Sequence, residues 1–328
     1  MKITDMGRVA TTEALSTLDP PLSTHMSKVQ LGIISATLAA SVITTIINPL
    51  TLLALFKQKM ITKSSINLFI ASLCCSDFLY GFSAGVFQLY KLLQLGPTSE
   101  HVLTCVNLTG GILCVLAYLV SYTNALLVSV DRAYATLAPF KYKTQLSIKR
   151  ASVILALALM VAVLQALIPI TINMASADIV IVEYSFELLP TSYRLYWANP
   201  LLFIGLAVNI LLYTVIVVAF LKTQKLVQPS SSSSELRNRR MTRTVTMVIG
   251  SLLIGNIPIV TVAAFPPSLD GLYLWSYAMC YDMAMFCTII PTFLNNFLYV
   301  WQLPDFNRAV RQLLTCHSNT IANLVSDT

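Results

Sequence analysis

Residues 121–140 read SYTNALLVSVDRAYATLAPF. The run is apolar until Asp131-Arg132, and Pro139 follows seven residues after the arginine. An arginine in a hydrocarbon-length helix costs about 2.5–3.5 kcal/mol at the bilayer centre. It is tolerated near an end, where it snorkels or pairs with a neighbouring carboxylate, here Asp131. At about 100° per residue, Ala125, Ser121 and Cys114 fall within about 20° of Arg132 on the helix wheel. Ser121 then sits about 16 Å deeper than Arg132, and Cys114 about 27 Å away, at the opposite leaflet. One helix face links a charge at one surface, a hydroxyl at mid-membrane and a small side chain near the other surface.

The rest of the chain is built to match. Its 328 residues are 56% hydrophobic and 11% charged, with a mean hydropathy of +0.74. That composition fits a polytopic membrane protein and no ordinary soluble domain. Seven stretches, 29–56, 66–89, 102–130, 151–172, 197–221, 244–264 and 272–300, reach the length of about 20 residues that a bilayer core demands. Alternating strand-like segments are absent, which argues against a barrel. The predicted fold is an all-α bundle of seven transmembrane helices spanning 29–303. A tail of 28 residues precedes it, an interfacial helix over 304–316 follows, and a second tail covers 317–328.

Sixteen of the 21 Lys and Arg residues fall on the Arg132 side, Lys57, Lys59, Lys63 and the 141–150 and 237–243 clusters among them. The other side keeps Lys2, Arg8, Lys28, Lys91 and Arg194. This positive-inside bias predicts an extracellular N-terminus in a multi-pass plasma-membrane protein. The net charge of +7 is a topology signal and implies no nucleic acid. Acidic residues on the outer side, Glu183, Glu187 and Asp270 among them, suit a cationic or peptidic ligand, although topology alone also produces them.

Several positions depart from plain hydrocarbon. No signal-peptide core precedes the first span. Asn48-Pro49 interrupts that span and calls for an interhelical partner. Asp77, deep in the second, calls for a partner or a cation, or is protonated and bonded to its neighbours. Residues 179–184, IVIVEY, carry a weak hairpin pattern. The serine run from 230 to 234 reads as a linker, and the basic 237–243 segment as a helix start facing lipid headgroups or an acidic partner. Pro258 should kink the sixth span, making its cytoplasmic half a lever. Beyond the seventh span, Phe306, Val310 and Leu313 against Arg308 and Arg311 make an amphipathic helix that lies on the inner interface. Cys316 is a palmitoylation candidate, with a free thiol as the alternative.

Together these residues resemble the rhodopsin-like family of G-protein-coupled receptors, as a divergent member. The resemblance rests on Asn48, Asp77 in SLCCSD, Ser121, Asp131-Arg132 with Pro139, Pro258, and Asn295 with Tyr299 in NNFLY. It implies a two-state transducer. Ligand binding in the outer half moves the sixth helix outward and opens an inner cleft for a heterotrimeric G protein. Arg132 is then held by Asp131 at rest and released on activation, and Tyr299 swings inward. In relatives, the positions of Asp77, Ser121 and Asn295 line a site for an allosteric sodium ion. No cofactor is implied.

The departures are specific. Ala133 stands where the family usually has Tyr, Asn296 where it has Pro, and Asn256 where it has a switch Trp. The seventh helix should therefore be straighter, and Asn238 offers no acid to Arg132, which predicts a weak resting lock. The disulfide implied by the family between third span and second outer loop lacks a second cysteine, since 173–196 contains none. A Cys105–Cys280 bridge remains an alternative, and Cys74, Cys75, Cys114 and Cys287 read as buried small apolar groups. Cys114 occupies the position of the amine-binding Asp of monoamine receptors, so such a ligand needs Asp282, Glu183 or Glu187 instead. The expected ligand pocket is lined by Gly111, Cys114, Val115, Tyr118, Asn256 and Met285, apolar with an amide to orient a small amphipathic ligand or a peptide. Plain packing is the alternative for Cys114 and Met285.

Other classes fit less well. A secondary transporter would carry internal repeats, and none is visible. An enzyme needs a nucleophile–base set or metal ligands, yet His25, His101 and His317 all lie outside the spans. An atypical receptor that binds ligand without activating G proteins is the main alternative.

Overall fold

The computed structural model describes residues 27–176, 181–225, 233–265, 271–304 and 306–312. Among them, seven helices are long and apolar enough to cross a membrane. They are α1 (Lys28–Lys57), α2 (Ser65–Leu93), α3 (Glu100–Leu137), α4 (Ile148–Ser176), α5 (Asn199–Lys225), α6 (Ser233–Ala264) and α7 (Gly271–Gln302). Each covers one of the seven predicted stretches. Residues 306–312 form the short eighth helix, α8, with Phe306 buried and Arg308 exposed. The two chain tails, Cys316, Leu313 and residues 230–232 of the serine run lie outside the described residues, whereas Ser233 and Ser234 begin α6.

α2 and α3 pack along most of their length, α1 lies on α2 and α7, and α6 lies on α7. The buried apolar residues form two clusters. One, at the Arg132 end, contains Leu55, Leu73, Val128, Leu252 and Tyr299. The other, at the opposite end, contains Ala84, Cys114, Tyr281 and Met285. Buried Asn48, Asp77, Ser121 and Asn295 fall between the two along each helix. The outer faces stay apolar, as with Ile204 at 60% and Leu211 at 63% exposure, because hydrocarbon replaces water around them.

Polar side chains in this layer find partners on other helices, as the low-dielectric interior demands. α1 runs through Asn48-Pro49 without a break, where an interruption was expected. Asn48 Nδ2 donates to the Thr44 carbonyl at 3.0 Å and to the Thr292 carbonyl on α7 at 3.2 Å. Asn296 Nδ2 donates back to Asn48 Oδ1 at 2.9 Å. Asn296 does restore a backbone N–H, but Pro291, five residues earlier, lies inside the same helix. The removed donor has moved along α7 and has not disappeared.

A glycine permits a close backbone contact between α2 and α3. A Cβ added to Gly110 of α3 would lie 2.9 Å from the Phe87 backbone nitrogen and 3.0 Å from its Cα. Backbone cannot yield as a side chain can, so Gly110→Val should force α2 and α3 apart. The expected loss is about 1–3 kcal/mol, as for other overpacked sites. At Gly32 nothing lies within 4 Å of an added Cβ, so Gly32→Val should leave the thermal-unfolding midpoint near wild type. Equal midpoints for the two variants would contradict the tight contact.

The hairpin expected at 179–184 is absent from its described part. Residues 181–184 are irregular and lead into a 3₁₀ turn, Ser185–Leu188. Side chains satisfy this backbone in place of a partner strand. Glu187 Oε2 accepts from the Glu183 and Tyr184 N–H groups at 2.9 and 3.1 Å.

Candidate functional site

At the basic end, Asp131 and Arg132 are 4% and 3% exposed. Asp131 Oδ2 accepts from Arg132 Nε at 2.9 Å and also pairs with Nη2. A third group, unforeseen from sequence, closes the cluster. Pro139 at the first helical turn starts a loop helix, Pro139–Gln145, since its fixed φ and missing N–H suit that position. This helix carries Tyr142 back to the pair. Tyr142 Oη donates to Asp131 Oδ1 at 2.9 Å and accepts from Arg132 Nη2 at 2.9 Å. It also lies 2.8 Å from Ser65 Oγ. Burial pushes the Tyr142 phenol above its ordinary value, which keeps it protonated and able to donate.

No α6 side chain hydrogen-bonds Arg132 among the described residues, and the side chain of Asn238 lies outside them. Ala133 is buried. Tyr299 is 1% exposed, its ring is 5.6 Å from that of Phe306 on α8, and its hydroxyl has no partner. Pro258 lies inside α6 and deprives the Ile254 carbonyl of its helical donor.

At mid-membrane, Ser121 Oγ donates to Asp77 Oδ1 at 2.7 Å and Asn295 Nδ2 to Oδ2 at 3.4 Å. Ser251 of α6 donates to Asn295 Oδ1 at 3.4 Å. Asn124 lies in the same layer, accepting from Ser72 Oγ at 2.9 Å and donating to Ser76 Oγ at 3.0 Å. Asp77 has no cationic side chain beside it among the described residues, nor do they hold a group of three or more His, Cys, Asp or Glu suited to a metal. A carboxylate and a hydroxyl are nevertheless hard donors of the kind a small cation takes, while the Asn295 carboxamide oxygen is turned to Ser251.

Toward the other end lies a cavity of about 360 Å³. Cys114, Val115, Tyr118 and Met285 line it, as do Tyr80, Tyr122, Phe186, Leu202 and Ile259, which were not anticipated. The other two expected pocket residues stand apart. Gly111 is covered by the loop between α4 and α5, and a Cβ there would meet Leu188 Cδ1 at 2.9 Å. Asn256 faces a much smaller space beneath, shared with Ser121 and Thr288, and donates to its own helix at the Leu252 carbonyl, 2.7 Å away. The amide therefore lies below the cavity and does not orient a ligand within it. Tyr80, Tyr118 and Tyr122 form a ladder with ring centroids 5.7 and 6.1 Å apart.

The loop over the cavity is held without a disulfide. Cys105 and Cys280 are both free and exposed, and every described cysteine is unpaired. Cys74 and Cys114 are buried as expected, but Cys75 is exposed and Cys287 half-buried. Asn107, 0% exposed, does the work of the missing bridge. Its Nδ2 donates to the Val182 carbonyl and its Oδ1 accepts from the Val182 N–H, both at 2.8 Å. This geometry also leaves Nδ2 no room for a glycan, although Asn107-Leu108-Thr109 is a sequon. Ser185 Oγ meets Tyr281 Oη at 2.8 Å, and Tyr184 packs on Phe186, Tyr277 and Tyr281.

Beside this lid, Lys91 of α2 and Asp282 of α7 form an ion pair at 2.5 Å, with side chains 7% and 0% exposed. Gln30 Nε2 donates to the second carboxylate oxygen at 3.0 Å, and the ammonium lies 5.3 Å from the Tyr281 ring centre. Sequence placed Lys91 on the outer surface and left Asp282 free to meet an amine. The structure buries Lys91 in a pair with Asp282, and neither Asp282, Glu183 nor Glu187 lines the cavity.

No curated protein matches the chain. The model of the family described as 7 transmembrane receptor (rhodopsin family) matches residues 47–299. That match runs from the second half of α1 to Tyr299 and takes in Asp77, Arg132 and the cavity residues just described. The chain belongs to the rhodopsin family of seven-transmembrane receptors, and it is a multi-pass signalling receptor, not an enzyme.

Proposed function

We propose that the chain is a G-protein-coupled receptor of the plasma membrane, with its N-terminus extracellular. The placement of sixteen of the 21 Lys and Arg residues at the Arg132 end supports that orientation. The cavity beneath the second outer loop takes the ligand, through Cys114, Val115, Tyr118 and Met285. The Arg132 end engages a heterotrimeric G protein. Asp131, Arg132, Asn295, Tyr299 and Pro258 form the switch between the two ends. At rest a sodium ion is held by Asp77 with Ser121 and Asn295, where it adds the positive charge that this buried carboxylate lacks. Membrane lipids surround the bundle and anchor α8, and Cys316 is a site for palmitoylation.

The observation that carries the reading is Arg132 itself. It is a buried charge whose hydrogen-bond partners, Asp131 and Tyr142, both lie on α3 or the adjoining loop helix. Outward movement of α6 then breaks no ion pair to Arg132 among the described residues, and the resting state is only weakly favoured. High ligand-free signalling is expected across a panel of G-protein sensors. At matched surface expression, Arg132→Ala should return it to mock. Tyr142→Phe, which removes the donor to Asp131, should raise it about threefold, the effect of one net hydrogen bond. Undiminished signalling by Arg132→Ala would sink the coupling role. A second reading, ligand binding without signalling, draws support from Asn296, which ties α7 to Asn48 of α1 and lies 3.7 Å from Cys74 Sγ of α2. Silence in every arm of the panel would favour it.

A further inference from the structure

The geometry points to a ligand class and a route of entry, given that the cavity is the ligand site. We infer that the receptor binds an amphipathic anion, an elongated apolar chain carrying a carboxylate or phosphate. The anion enters sideways from the bilayer through the seam between α4 and α5 and brings its head to Arg194.

Charge comes first. Among the described residues the cavity wall holds no Asp or Glu, and Arg194 is the one charged residue on it. Among the described residues Arg194 has no carboxylate partner, and its guanidinium lies 5.1 Å from the Phe186 ring centre. An unpaired guanidinium beside an apolar cavity favours a carboxylate or phosphate, which it grips with two parallel N–H groups. An amine would meet like charge, with no described acid on the wall to offset it.

Backbone geometry places that charge. The head of α5 is a turn of π-helix, Arg194–Ala198. Such turns are rare and cluster at functional sites because they shift side chains out of helical register. Arg194, Ala198 and Asn199 all line the cavity. Deeper in, the Tyr118 hydroxyl is buried on the wall without a partner, although buried hydroxyls are normally bonded. It is a second polar point for a ligand oxygen.

Shape and access complete the case. The lining on α5 runs from Arg194 to Val208, roughly 20 Å of helix, so the space suits a chain more than a compact ring. From above, Ser185, Phe186 and Leu189 cover it, under a loop fastened by Asn107 and Tyr281. To the side it is less closed. α5 packs on α3 and α6 and barely touches α4. Leu201, Ile204 and Val208 line the cavity and are also 42%, 60% and 38% exposed on the outer surface. A wall one side chain thick thus separates cavity from hydrocarbon, where an amphipathic anion is already concentrated and aligned.

The test uses the full chain in zwitterionic nanodiscs at pH 7.4, with tritiated dodecanoate as probe. Dodecyl phosphate, dodecanol and dodecylamine compete, so the head varies at constant chain. Saturable dodecanoate binding is expected, with dodecanol and dodecylamine at least tenfold weaker. The rank of dodecanoate against dodecyl phosphate decides between a fatty-acid and a phospholipid-like source. Arg194→Gln should weaken dodecanoate at least tenfold while its ligand-free unfolding midpoint stays at the wild-type value. Arg194→Lys should remain within about threefold of wild type, and Ile204→Trp, which thickens the seam, should slow association at least tenfold. Dodecylamine matching dodecanoate, absent saturable binding, or an unchanged Arg194→Gln affinity would each overturn the anion. Unaltered association in Ile204→Trp would overturn the lateral route. Ligand-free signalling lost in Arg132→Ala is read separately in cells, so the receptor reading can stand while the ligand class falls.

Discussion

Asp282→Ala lowers the stability of the folded receptor by about 3 kcal/mol, and restoring neutrality by a second substitution recovers most of the loss. Lys91 and Asp282 are 5% and 0% exposed, and their contact is 2.5 Å. Removing the carboxylate leaves an ammonium among Phe87, Tyr281 and Gln30 with no carboxylate in direct contact, the nearby Glu183 acting on it only from beyond ion-pair distance. Breaking one half of a buried pair costs about 3–5 kcal/mol. The lower end applies because Lys91 lies two residues from the end of α2, where it can snorkel to the interface when the bundle opens. Replacing both partners by apolar residues of similar volume is close to neutral, since the pair itself is costly to desolvate. Lys91→Met/Asp282→Leu should therefore unfold nearer to wild type than either single variant in nanodiscs of fixed composition. A double variant as unstable as the sum of the singles would show that packing, and not charge, holds α2 to α7 here.

Asn107→Ala should release the second outer loop while leaving the seven spans assembled. Its two 2.8 Å hydrogen bonds satisfy both backbone groups of Val182, a residue 5% exposed. Without them, a buried N–H and a buried C=O are each unsatisfied at a cost of about 1–3 kcal/mol. The loop avoids that cost by detaching, so the opening equilibrium shifts by about 3 kcal/mol, or more than a hundredfold. Hydrogen exchange of the amides at 181–189 should rise by that factor, with exchange in α2 and α3 little changed. Asn107→Asp keeps the acceptor and loses the donor, so it should fall between. Unchanged loop exchange in Asn107→Ala would mean that the Tyr184 ring cluster alone holds the lid.

The bundle was legible in the chain because hydrocarbon imposes a simple rule. Every backbone polar group must be satisfied within its own segment, so about 20 apolar residues in a row become a spanning helix. The positions of Cys114, Ser121 and Arg132 along one face of α3 follow from the 1.5 Å rise and the 100° turn. Individual polar residues in the spans, such as Asn48, Asp77 and Asn295, announced themselves because an unpaired amide or carboxylate is expensive there.

Which groups they meet was not legible, because each contact joins residues far apart in the chain. Lys91 read as a charge on the outer side and Asp282 as an acid open to an amine until α2 and α7 bring them to 2.5 Å. Asn107 fastens a loop whose Val182 lies 75 residues further along the chain, and Tyr142 reaches Asp131 because a proline-started helix turns it there. Asn256 shares its layer with Ser121 and not with the cavity above, a difference of depth that helix crossing sets and periodicity does not. The amino-acid sequence by itself determined the number of helices, their polar layer and their basic end, since these depend on solvation and local period. Tertiary structure alone decided which charges are buried in pairs, what fastens the lid and where Arg194 stands unpaired, because those depend on which helix faces meet.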